Sequence, residues 1–168
     1  MPPTVSNAGP LIVLAKINAL YLLKLLYGQV FFSTGVYEEA VVQGIRRGYD
    51  DAHTLYRFLQ QEGWQPTTVD DIPTEIAALP LDRGEKESIA LALSLQGLLL
   101  MDEERGREVA RLQGLHVRGT LGVLVQAYRQ TIIPAEQLRV YFMEIESRQD
   151  IWINPSLCRR ILQELGLL

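Results

Sequence analysis

Cysteine is nearly missing from this chain. Cys158 is the only one, so no intramolecular disulfide can form and no thiolate metal site is available. Histidine is almost as scarce. His53 and His116 are too isolated for a zinc site, and neither has a ligand-like neighbour at helical spacing. Any metal must therefore be held by oxygen, which favours magnesium or manganese. Long apolar runs are absent too. The longest, Leu20 to Tyr27, is broken by Lys24, well short of the about 20 residues of a membrane span. The N-terminus lacks a basic-then-apolar leader, so a cytoplasmic chain with no membrane attachment is expected. Positive charge is not in excess. The 16 Lys and Arg against 20 Asp and Glu leave a formal net charge of −4, which argues against non-specific adhesion to nucleic acid. It leaves room for a site where acids hold a cation while arginines elsewhere meet phosphates.

At 168 residues, with 48% hydrophobic content and a mean hydropathy of +0.06, one domain spanning residues 1–168 with a full core is expected. No repeat, linker or low-complexity tract divides it. Short apolar runs at 4–7, 30–32, 67–69, 98–101 and 115–117 read as strands, and helical patterns separate them. Pro10 suits the first position of a helix that Leu11 to Ala15 continue, and Gly28, Gly44 and Gly97 read as helix ends. Helices over 135–147 and after Asn154-Pro155 close the chain. This alternation implies an α/β sandwich with a mainly parallel sheet, the carboxyl ends of its strands on one rim.

The stretch Leu81 to Arg107 organises the rest. Asp82 stands three residues before Glu85, the spacing of a capping box, and Ile89, Ala90, Ala92 and Leu93 follow as an apolar face. Leu98 to Met101 is a buried strand, and Asp102, Glu103 and Glu104 leave its carboxyl end, where open parallel sheets keep their sites. Glu85 starts on the inward face of its helix. Both key acids have plainer readings. Glu85 completes the capping box, and Asp102 caps the next helix. Asn7 falls on the same rim, and Glu38, Glu39 and Glu85 can reach it.

Two motifs, Ser6-Asn7-Ala8-Gly9-Pro10-Leu11-Ile12 and Leu81-Asp82-Arg83-Gly84-Glu85, followed by Asp102 with Gly106-Arg107 and Ala110 and then Gly119-Thr120-Leu121-Gly122, resemble the PIN-domain family. The likeness is to its VapC-like ribonuclease branch and runs from about Thr4 to Arg129. It implies a three-layer α/β/α sandwich whose five-stranded sheet has the order 3-2-1-4-5, with acids clustered at the carboxyl rim. It also implies a metal-dependent endoribonuclease, a toxin neutralised by a small antitoxin. Carried over by position, the metal ligands are Asn7, Glu39, Glu85 and Asp102, the last three being the catalytic acids. Glu38 remains a rival to Glu39, and Glu103 to Asp102. Asn7 is a departure, since most members carry Asp there, and an uncharged amide oxygen holds a cation less strongly.

The resemblance implies that these residues serve Mg2+ or Mn2+ chemistry on an RNA phosphodiester, with no Ser, Cys or His nucleophile. Arg105 and Arg107 are candidates for holding phosphate, or else are solvated helix charges. Thr120 can offer its hydroxyl to substrate or serve as a helix cap. Trp64 and Trp152 lack basic interleaving and read as core or interface anchors. The resemblance also implies pairing, and with the apolar helices near Leu20 to Leu26 as a surface a homodimer is expected. The competing reading is a degenerate PIN fold that binds RNA or protein without cutting. A phosphatase would want an aspartate nucleophile where Asn7 stands.

Overall fold

The computed structural model describes residues 2–168. Among these, four short strands, β1 (Thr4–Ser6), β2 (Val30–Phe31), β3 (Leu98–Leu100) and β4 (Val117–Arg118), form one parallel sheet in the order β2-β1-β3-β4. Ser6 pairs with Leu100, and Leu100 with Arg118, so these strands finish on a common rim. The Asn7 N–H extends the ladder by donating to the Leu100 carbonyl at 2.9 Å.

The α/β fold with a parallel sheet agrees with the strand–helix alternation, but four strands stand where five were expected. The segment at 67–69 contributes a single bridge, Thr67 to Ser33. Pro66 has no N–H with which to begin a ladder. Beyond Thr67 the chain turns so that Val69 and Ile72 pack into a core cluster instead. The last strand lies later than its expected position at 115–117. Gly114 turns with φ 87°, and the Leu115 N–H is used to close helix α8 (Glu104–Leu112) on the Ala110 carbonyl at 3.0 Å.

Strand residues alternate between two cores, as the period of 2 requires. Leu100 with Val30 and Phe32 faces one cluster, and Leu99 and Met101 with Val5 face the other. Helices α1 (Ala8–Lys16), α2 (Tyr21–Tyr27), α5 (Asp50–Glu62), α9 (Thr120–Arg129), α10 (Ala135–Ser147) and α11 (Pro155–Glu164) contribute to the first. Helices α6 (Thr74–Ala77), α7 (Arg83–Leu95) and α8 contribute to the second. Each fully buried leucine contributes about 2 kcal/mol of apolar transfer, so burial on both faces supports strands too short to stand by ladder bonds alone.

Three helix ends depart from expectation. α1 begins at Ala8 rather than at Pro10, because a proline in the first turn gives up only an N–H that has no partner there. Gln96, not Gly97, takes the left-handed position that ends α7, at φ 52°. Gly97 is required for another reason: a β-carbon there would collide with the Pro3 carbonyl, beside which β3 begins. The helical path after β2 is broken in register. α3 (Thr34–Tyr37), capped by Ser33, passes into a π-helical segment (Glu38–Gln43) and then α4 (Gly44–Arg46). Such an insertion turns the following side chains around the axis and is frequent at functional sites. Glu38 and Glu39 stand at its start.

Candidate functional site

The first turn of α7 packs over the end of β1. Asp82 accepts from the Glu85 N–H at 2.8 Å, and Glu85 Oε1 accepts from the Asp82 N–H at 3.1 Å. The capping box is therefore real. It occupies only one carboxylate oxygen of Glu85, and Oε2 is buried with no hydrogen-bond partner. That oxygen lies against α8, 3.2 Å from where a β-carbon on Gly106 would stand. Burial, reinforced by the charges of Asp82 and Glu103, raises the Glu85 carboxyl to about 7, against the pull of the Asp82 N–H.

Asn7 occupies the N-cap position of α1, yet its side chain makes no cap bond. Its Oδ1 receives only a long contact from the Ser88 hydroxyl, 3.4 Å. A β-carbon at Gly84 would lie 3.6 Å from both Asn7 Oδ1 and Asp82 Oδ1, so Gly84 lets these two oxygens approach the same point. Asp82 is thus a further acid at this position, and its capping-box spacing concealed it. Glu39 reaches solvent but is closely surrounded. Loss of water and the charge of Asp82 push its carboxyl above the ordinary range, while Arg47 pulls it back. Glu38 instead receives a bond from the Gln43 amide at 3.3 Å.

Asp102 has different company. Both its oxygens accept from Thr120, from the N–H at 2.7 Å and from the hydroxyl at 2.6 Å. It caps α9 from across the rim, while Glu103 caps its own helix α8 by accepting from Gly106 at 2.8 Å. Burial raises the Asp102 carboxyl, and the Thr120 bonds and the Arg107 charge oppose that shift. A β-carbon at Gly119 would lie 2.9 Å from Arg107 Nη1 and from Asp102 Oδ1 alike. Arg107 donates to the Met101 carbonyl at 2.8 Å and is half-buried, whereas Arg105 is exposed. Thr120 is fully buried and its hydroxyl is spent on Asp102, so the part open to it is to fasten that carboxylate.

Asn7, Asp82, Glu39 and Glu85 therefore form one acidic neighbourhood continuing to Glu103, and Asp102 with Thr120 and Arg107 forms a second. Among the described residues no group of three or more His, Cys, Asp or Glu side chains converges closely enough to hold a metal ion. None of the salt bridges among them involves Glu39, Asp82, Glu85, Asp102 or Glu103. The donors nevertheless fit a hard divalent cation in kind: all are oxygens, and one is a buried carboxylate oxygen that lacks any partner. Glu87, which the sequence did not single out, is structural. It takes the Gly35 N–H at 2.9 Å and Arg83 Nε at 2.8 Å. Burial pushes its carboxyl up, but the bonds from Arg83, Gly35 and Ser33 outweigh that and hold it below the ordinary range.

Trp64 is buried and meets Phe58 edge-on at 5.2 Å, as a core anchor should. Trp152 is 94% exposed. No helix among the described residues is long and apolar enough to cross a membrane. A family model described as DUF3368: PIN domain matches residues 3–167. No curated protein matches the chain.

Proposed function

Since the chain belongs to the PIN-domain family, whose members are generally nucleases acting on nucleic acid and generally using divalent metal ions, we propose that it is a magnesium- or manganese-dependent endoribonuclease. The observation that carries this reading is the buried, unpartnered Oε2 of Glu85. A carboxylate oxygen left without a donor among other acids costs stability unless a proton or a cation joins it. In this reading Asn7, Glu39 and Glu85 hold the ion, with Asp82 adding charge and Asp102 closing the site from the β3 side. A divalent ion bound there supplies a more acidic water and offsets charge on the phosphodiester oxygens. Thr120 keeps Asp102 oriented, and Arg107 holds a neighbouring phosphate with the N–H groups that Met101 does not use. Arg105, exposed on the same helix, adds positive charge along the path of the RNA.

The biological setting we infer is the toxin of a toxin–antitoxin pair acting in the cytoplasm, with a small antitoxin as partner. We also infer a homodimer. Leu22, Leu23 and Leu26 of α2 are buried, but Tyr21 and Leu25 are exposed, as are Val140 and Met143 on α10. The Tyr21 and Tyr141 hydroxyls bond at 2.8 Å, which links the two helices. The competing reading, a degenerate PIN fold that binds RNA or protein without cutting, is favoured by Asn7 and by the separation of Asp102's partners from those of Glu85. Incubating the purified protein with labelled single-stranded RNA, with and without manganese, separates the two. Metal-dependent cleavage supports the nuclease, and retention of intact RNA supports the binding module.

A further inference from the structure

Trp152 is the largest apolar side chain in the molecule left almost wholly to solvent, 94% exposed, and a tryptophan so placed forgoes the burial this residue usually finds. Its backbone is not loose. Ile151 before it is buried and Ile153 after it is half-buried against the core. Arg148 grips Asp150 with two bonds of 2.8 Å, Lys16 also bonds Asp150, and Asn154 caps α11 at 2.9 Å. The backbone that carries the indole is thus anchored on both sides.

What it stands beside is specific. Two recesses, of about 630 Å³ and 520 Å³, share Asp102, Trp152 and Ile153 in their walls, and both volumes fall within the about 300–1,000 Å³ of ligand clefts. Tyr49, half exposed, lines the first recess with Lys16, Asp51 and Asp150. Glu104, Arg107 and Arg118 line the second, where Arg118 also donates to Tyr27 and Gln126. We propose that Trp152 is a base-stacking platform for single-stranded RNA, presenting its indole to an unpaired base while the adjoining backbone passes Asp102 and Arg107. The proposal rests on the nuclease reading and adds to it a preference for unpaired substrate. An exposed ring that shares a recess with Arg107 offers the combination that single-strand grooves use, stacking for the base and charge for the backbone. The core of a dry protein interface is depleted of such charges.

The test uses a mixed-sequence RNA decamer, single-stranded or annealed to its complement, in chelator so that a metal-dependent enzyme cannot cut it. Trp64 is buried, so quenching of indole fluorescence by the decamer reports Trp152. The single strand is expected to quench wild type, and Trp152→Ala to weaken binding by roughly 5- to 150-fold, read by anisotropy of labelled RNA. Trp152→Phe is expected to retain most of the affinity, and the duplex to be bound alike by all three proteins. Equal affinity of Trp152→Ala and wild type for the single strand overturns the proposal while leaving the nuclease reading intact. So does a dimer in light scattering that Trp152→Ala dissolves without changing RNA affinity, which assigns the indole to a protein contact. A wild-type protein that neither binds the decamer nor cuts it with manganese present removes both.

Discussion

The Thr120 hydroxyl meets Asp102 Oδ2 at 2.6 Å while the Thr120 N–H meets Oδ1 at 2.7 Å, which fastens the carboxylate leaving β3 to the first turn of α9. A rim acid held at both oxygens is part of the framework as well as a candidate for chemistry. Thr120→Val, nearly the same shape, removes the hydroxyl bond and leaves one oxygen short of a donor. It is expected to lose about 1–3 kcal/mol in urea unfolding, to raise the Asp102 carboxyl further, and to slow cleavage. Thr120→Ser should recover most of both. Asp102→Asn has a related cost, since its amide nitrogen must face a Thr120 donor, so its activity is interpretable only beside its stability.

Glu85 makes the metal-free protein sensitive to pH. Its carboxyl titrates near 4.5 when unfolded and about 7 when folded, so the folded state holds the extra proton between those values. Stability is therefore fully present below about pH 4.5 and falls as pH rises through 7, by at most about 3 kcal/mol. Thermal melts in chelator should show Tm declining across this window, and Glu85→Gln should flatten the decline. Manganese should restore Tm at pH 7.5 in wild type and much less in Glu85→Gln.

Asn7→Asp changes charge and little else. The new carboxylate stands near the point that Asp82 Oδ1 also approaches, so the metal-free protein should melt earlier than wild type while divalent ions bind more tightly. Asn7→Ala should bind them more weakly. Calorimetric titration with manganese checks the order, and identical affinities would leave Asn7 no part in the site.

Glu87 serves as a contrast. Its depressed carboxyl ties α7 to α3 through Arg83 and Gly35, so its contribution is present above about pH 4.5 and is lost as pH falls through its lower folded value. Glu87→Ala strands the buried Gly35 N–H and should cost about 1–3 kcal/mol, with no change in metal affinity by calorimetry.

Much of this was legible in the sequence because local chemistry and tertiary role coincide. Asp82 and Glu85 announce a capping box, Asn154 announces a helix start, and the Leu98–Met101 run announces a buried strand. Legibility ended where a residue serves a distant partner. Nothing local says that Asp102 caps α9 rather than α8, or that one oxygen of Glu85 is left over from its cap. The π-helical insertion at Glu38 has no composition signal, and Pro66 reduces a strand that β-branched residues alone would suggest. Trp152 is 94% exposed and so is no core anchor, and nothing local announced that, since Ile151 and Ile153 flank it as they would a buried residue.

Cleavage itself bears most directly on the central claim. Labelled single-stranded RNA is incubated with wild type and Glu85→Gln, with manganese and with chelator. The account predicts cutting by wild type that chelator stops, and a loss of about a hundredfold or more in Glu85→Gln, whose metal-free form melts no earlier than wild type at pH 7.5. Cutting that persists in chelator, or that Glu85→Gln performs at the wild-type rate, contradicts it.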